Sequence, residues 1–144
     1  MRAVKLLISL LAVAGAGGYS DPPRFFMLDT TRRIVGEVYD QWKSKVVFDS
    51  HQFIAFWVDS RIDLIEFRAI FAARISESGA LQDSIGKSVH RVPEGYDIND
   101  FGVAANGDNI LLVWEQRVYI DSGQILAKRL RPDLAPLDSE AIIL

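Results

Sequence analysis

The sequence predicts an all-β chain of two tandem antiparallel sheet units, on three observations. The run Phe53-Ile54-Ala55-Phe56-Trp57-Val58-Asp59 returns as Ile110-Leu111-Leu112-Val113-Trp114-Glu115-Gln116, with Trp57 and Trp114 57 positions apart. The run Ile70-Phe71-Ala72-Ala73-Arg74-Ile75, then Gly79-Ala80-Leu81-Gln82-Asp83, returns as Ile125-Leu126-Ala127-Lys128-Arg129-Leu130, then Leu134-Ala135-Pro136-Leu137-Asp138, with Arg74 and Arg129 55 positions apart. Turn-forming clusters precede the first run of each copy, Asp49 and Asn106 again lying 57 positions apart. A fixed period of this length marks modules that hide their apolar faces against one another.

The N-terminus stands outside that pattern. Arg2 and Lys5 form a basic flank, Leu6 to Ala16 is apolar but for Ser9, and no acidic residue precedes Asp21. Ala14-Gly15-Ala16 fits the small-x-small cleavage rule, so residues 1–16 read as a signal peptide. A span needs about 20 apolar residues, and this run stops short at Gly17-Gly18-Tyr19-Ser20-Asp21-Pro22-Pro23. No stable membrane span is expected, and the predicted address is secreted or periplasmic. Residues 17–24 read as a linker and 25–144 as the folded part, with repeat 1 at about 45–100 and repeat 2 at about 101–144.

A chain of 144 residues holds one domain of ordinary size. With 49% apolar and 24% charged residues it is foldable rather than disordered. The net charge is −3, and loss of Arg2 and Lys5 leaves 14 basic against 19 acidic residues. That balance argues against nucleic acid as a partner, which needs a basic face. The chain has no cysteine. Small exported domains usually lean on disulfides, so their absence predicts a larger assembly or a bacterial origin.

Along the chain, Phe25-Phe26-Met27-Leu28 is a short apolar run and residues 32–39 favour β structure through Ile34, Val38 and Tyr39. Residues 45–48 form a strand, stopped by Asp49-Ser50-His51-Gln52, and the chain returns through 53–58 as a hairpin. The second copy follows the same plan: 101–105, the turn Asn106-Gly107-Asp108-Asn109, then 110–114. Asn-Gly is a strong hairpin signal because both residues tolerate positive φ. The runs 53–58 and 110–114 are apolar without alternation, which predicts strands buried on both faces. In the next strand Phe71, Ala73 and Ile75 share one face, as do Leu126, Lys128 and Leu130 in the second copy. Turns follow at 76–79 and 131–134, and a fourth strand is expected within 84–92 and again within 140–144.

Three or four antiparallel strands in about 55 residues is the size of one β-propeller blade. The pattern Phe56-Trp57-Val58-Asp59-Ser60-Arg61 and Val113-Trp114-Glu115-Gln116-Arg117, followed by Ala-x-Arg with Gly79 and Asp83, resembles the blades of secreted bacterial β-propeller proteins over residues 45–144. The second copy departs from it at Leu134, where the first has Gly79. The resemblance implies a partial propeller of about two to two and a half blades, and an extracellular or periplasmic binding scaffold. Propellers close with four or more blades, so a longer chain with further blades, or self-association, is expected.

Residues recurring in both copies read as scaffold: Trp57 and Trp114 as filling between sheets, and Arg74, Arg129, Asp83 and Asp138 as turn locks. The corners Asp59/Arg61 and Glu115/Arg117 read likewise. The two histidines, His51 and His90, lack metal-ligand spacing and are expected to be exposed. Asp97-Ile98-Asn99-Asp100-Phe101-Gly102 is a poor match to a calcium loop, because Phe101 occupies a ligand position; a connecting loop is the better reading. No nucleophile elbow or phosphate-binding loop occurs. Neither cofactor, metal nor catalytic residues are therefore assigned.

The expected function is a non-enzymatic, exported binding or interaction scaffold for a carbohydrate or protein ligand. The loops 59–67 and 92–100 would carry the ligand surface, with Phe67, Tyr96 and Asp97 as its candidates. The alternative is the N-terminal part of a propeller glycosidase or lyase whose catalytic acids converge only with further blades.

Overall fold

The computed structural model describes residues 41–61, 68–118 and 122–144. The predicted signal peptide, the linker, the segments 25–28 and 32–39, and Phe67 lie outside them. The described chain is all-β, in two four-stranded antiparallel sheets. The first holds β1 (Gln41–Phe48), β2 (Gln52–Asp59), β3 (Ala69–Ser76) and β4 (Lys87–Arg91); the second holds β5 (Asp97–Ala105), β6 (Ile110–Val118), β7 (Ser122–Leu130) and β8 (Ile142–Ile143). Strands pair in chain order in both sheets, so neighbours in sequence become neighbours in space. Among the described residues no helix is long and apolar enough to cross a membrane.

The two leading hairpins turn by the same local chemistry. Asp49 Oδ1 accepts the N–H groups of His51 and Gln52, both at 2.9 Å. Asn106 Oδ1 accepts those of Asp108 and Asn109 at 3.2 and 2.9 Å. An Asx side chain thus stands in for backbone at the first turn position. The next residue needs positive φ, supplied by Gly107 at 93° and by Ser50 at 80°.

The later turns correspond as well. Gln82 N–H donates to the Arg74 carbonyl and Leu137 N–H to that of Arg129, both at 2.9 Å. Isolated bridges join Ile75 to Leu81 and Leu130 to Pro136. The 57-position offset holds between β2 and β6, and the 55-position offset between β3 and β7. The chain between the paired Asp59 and Ala69 is two residues longer than that between the paired Gln116 and Gln124, which accounts for the difference.

The main core lies between the sheets. Ile54, Phe56, Val58, Ile70 and Ala72 of the first sheet meet Phe101, Ile110, Leu112, Trp114, Leu126 and Leu130 of the second. These side chains alternate along their strands, so one face of each sheet supplies the contact. Trp114 points into this interface, whereas Trp57 belongs to the opposite face of the first sheet, with Ala69, Phe71 and Ala73.

Of the two central strands, β2 has the burial expected and β6 does not. β2 is buried on both faces from Ile54 to Asp59. β6 alternates, with Leu111 43% exposed between the fully buried Ile110 and Leu112. Its continuous apolar run reflects a sheet with one packed face and one open face.

Candidate functional site

The sheets approach most closely along β1 and β5. On the other side, between β4 and β7–β8, a cleft of about 530 Å3 opens, lined by polar side chains that include His90, Gln116, Lys128 and Glu140. His90 is placed by an irregularity in β4. The register shifts after Ile70 pairs with His90 and before Phe71 pairs with Ser88, leaving Val89 as an extra residue. Such a bulge re-aims side chains: Val89 joins the inter-sheet core and His90 lies on the Trp114 indole, ring centroids 4.0 Å apart.

His90 is therefore not the exposed strand residue that the sequence suggested. Burial first, and then the nearby Lys128 charge, lower its pKa from 6.5 to about 4, against the opposing effect of a hydrogen bond with the Gln116 side chain. The ring is neutral at neutral pH. Its Nε2 is buried without a hydrogen-bond partner among the described residues. His51, by contrast, is exposed in the β1–β2 turn.

Lys128 stands on the inward register of β7, opposite the buried Leu112. The corresponding residue of the first sheet is the fully buried Ala73. Gln116 likewise stands where the first sheet has Asp59. The Trp57 indole Nε1 donates to Asp59 Oδ2 at 2.9 Å, and Trp114 Nε1 approaches Gln116 Oε1 at 3.5 Å. The exchange of carboxylate for amide leaves Gln116 able to serve His90 as well.

The acidic-then-arginine corners are not equivalent. Asp59 shares the Trp57 face and pairs with Arg61, whose guanidinium lies over the Phe71 ring at 4.6 Å. Glu115 projects to the opposite side of its sheet from Trp114, bonding Arg117 Nε at 2.5 Å and Asn99. Alternation along a strand separates two positions that looked alike in sequence.

Arg74 and Asp83 form a clamp across the β3 turn. Arg74 Nε donates to Oδ2 at 2.7 Å, Nη2 to Oδ1 at 3.0 Å, and the Arg74 backbone N–H also to Oδ2. Burial pushes the Asp83 carboxyl up, but the Arg74 side chain and backbone donors and Lys87 together hold it below the usual range. Arg129 and Asp138 repeat the arrangement, with Nη2 to Oδ1 at 2.6 Å and the backbone N–H to Oδ2 at 2.8 Å. The Arg129 hydrogen bonds depress the Asp138 pKa.

The loop candidates are not brought together into a ligand surface by the described residues. Tyr96 is half-buried against the main core rather than exposed. Asp97 opens β5 and pairs with Arg68, so the stretch 97–100 is strand, not loop. An exposed aromatic lies elsewhere: Phe48, 47% exposed, packs on Phe53 beside the first hairpin. Among the described residues no three of His, Cys, Asp and Glu gather to hold a metal ion.

The His90 cleft had one sequence signal, Lys128 at a position that is alanine in the first copy. The bulge that aims His90 had none. Comparison with protein-family models, with curated proteins and with solved structures finds no match for this chain.

Proposed function

We propose that this protein is a non-enzymatic, exported binding scaffold of the β-propeller kind, in which tandem sheets stack face to face. One observation carries the reading. Ile54, Phe56, Val58, Ile70 and Ala72 are each 0% exposed beneath the second sheet. Their register counterparts, Leu111, Val113, Glu115, Ile125 and Ala127, share the outer face of the second sheet. There Leu111 is 43% and Ile125 44% exposed. An apolar face of similar make-up is open to a further sheet, and such unpartnered faces mark interaction surfaces.

The buried carboxylates favour a scaffold over an enzyme. Asp49, Asp59 and Asp83 are each engaged by donors within their own turn or sheet. Groups held this way stabilise structure and are not free to exchange protons with a substrate.

Sedimentation of the chain lacking residues 1–16, over a wide concentration range, tests the stacking. Association that grows with concentration and is abolished by the double variant Leu111→Glu/Ile125→Glu is the expected result. Both side chains are substantially exposed, so the variant keeps its fold. A native chain that stays monomeric throughout, or association indifferent to the two glutamates, overturns the stacking. N-terminal analysis of exported protein tests the address; Gly17 is the expected first residue.

A further inference from the structure

We propose that the open face of the second sheet takes the same face of a second copy of this chain, giving a closed two-fold dimer. The inference rests on the stacking proposed above and adds which surfaces meet and where assembly stops.

The joint between the two sheets is head-to-tail. The face of the first sheet that carries Ile54, Phe56 and Val58 packs on the face of the second that carries Ile110, Leu112 and Trp114. Under the 57-position offset these are not equivalent faces, because Trp114 corresponds to Trp57, on the far side of the first sheet. Repeating the joint between copies therefore requires the Trp57 face of one copy to receive the outer face of the other's second sheet. Such a heterologous contact leaves a face free at each step and runs on into rings or filaments.

The Trp57 face is closed to that use. Trp57 is 2%, Phe71 6% and Ala73 0% exposed. Leu81 packs on them, the Arg61 guanidinium lies over the Phe71 ring, and the turn at Gly86 lies against the indole. This face also lacks a knob that the internal joint uses. Leu134 is buried in the inter-sheet core, and its counterpart is Gly79, with open space where a side chain would begin. Of the strand residues on the Trp57 face, only Val46 and Phe48, at the β1 edge, are large, apolar and substantially exposed. Two side chains fall far short of the roughly 800 Å2 per partner of a stable interface.

The outer face of the second sheet suits contact with itself. Leu111 is 43%, Ile125 44% and Ile142 45% exposed there. Beside them Gly102 and Ala104 on β5 carry little or no side chain, which lets a second sheet approach to the usual ~10 Å. The charges of this face are already engaged within the chain. Arg117 pairs with Glu115 at 2.5 Å, Arg129 with Asp138 at 2.6 Å, and Asp97 with Arg68. Asp100 turns to its own backbone, Oδ1 accepting the Phe101 N–H at 2.9 Å. Setting the face against its own copy thus joins apolar groups with little like-charge repulsion, and it uses the face up in both copies. With both Trp57 faces closed, no third copy can add.

Sedimentation of the purified full chain over a wide concentration range should fit a monomer–dimer equilibrium with no larger species. Phe48→Glu and Val46→Glu lie at the far end of the stack, so each should dimerise within about twofold of native affinity. A fluorescently labelled Leu111→Glu/Ile125→Glu chain, mixed with excess native chain, should sediment as a monomer, because both partners must present the outer face. Unfolding midpoints report the fold of each variant. Rings or longer assemblies, loss of association in either folded β1-edge variant, or entry of the labelled double variant into native complexes overturns the two-fold dimer and leaves the stacking in place. A native chain that stays monomeric overturns the stacking, and the dimer with it.

Discussion

Leu134 in the second sheet takes the left-handed backbone that Gly79 takes in the first, with φ of 71° and 81°. Each donates its N–H three residues back, to Arg131 and Ser76 respectively, at 2.9 and 2.8 Å. Gly79 has nothing within 4 Å of where a Cβ would stand, whereas Leu134 is 5% exposed in the main core. A left-handed leucine costs about 1–2 kcal/mol, and burying its side chain returns about 1.5–3 kcal/mol.

Leu134→Gly should therefore destabilise by about 1 kcal/mol, since relief of strain offsets part of the lost burial. Gly79→Leu should destabilise by about 1–2 kcal/mol with no compensating burial. Urea midpoints measure both. A Leu134→Gly chain more stable than the native one would show that the core does not need this side chain.

Gly86 is predicted to reject any side chain. Its φ is +71°, and a Cβ would stand 2.6 Å from Cη2 of Trp57. Gly86→Ala should cost on the order of 2–4 kcal/mol, from backbone strain and displacement of the indole. Chemical denaturation reads the cost, and a changed tryptophan emission reports the displaced ring. Unchanged stability would mean that the indole does not pack on this glycine.

The two arginine clamps should differ in weight. The Asp83 side chain is 6% exposed and that of Arg74 21%, against 11% for Asp138 and 58% for Arg129. Asp83→Asn should cost on the order of 1–3 kcal/mol, because a partly buried guanidinium loses its counter-charge. Asp138→Asn should cost less, since water screens the exposed Arg129. The paired unfolding midpoints check the order, and a larger loss at Asp138 would reverse the assignment.

Acid should weaken the fold in two stages. Between pH 6.5 and about 4 the unfolded chain protonates His90 while the folded chain does not. The resulting stability is complete above pH 6.5 and is lost as pH falls towards 4, by on the order of 2–3 kcal/mol. Asp49 and Asp83 have depressed pKa values, so their contribution is present above the ordinary value of 3.8 and is lost below it. His90→Gln should flatten the first stage and leave the second. Urea midpoints across this range measure it, and an unchanged slope in the variant would remove His90 as the cause.

Much of the strand plan was legible in the sequence. Asp49 and Asn106 mark their turns because an Asx carbonyl caps the next N–H groups, a bond that involves only four consecutive residues. Residues 53–58 and 110–114 read as strands because bulky and β-branched side chains suit a pleated backbone. The Arg74–Asp83 spacing recurs because the clamp closes within one turn. Each of these is set by partners close along the chain.

What surrounds each strand was decided by folding in three dimensions. Trp57 and Trp114 sit in matching sequences, yet Trp114 faces the first sheet and Trp57 faces away from the second. Glu115 and Gln116 exchange the roles their order suggested, because a one-residue step moves a side chain to the other face. Tyr96 joins the core and His90 meets Trp114 through a bulge that no local pattern announces. Burial, partner and charge state at these positions depend on atoms brought across from the other sheet, and composition along one strand carries no record of them.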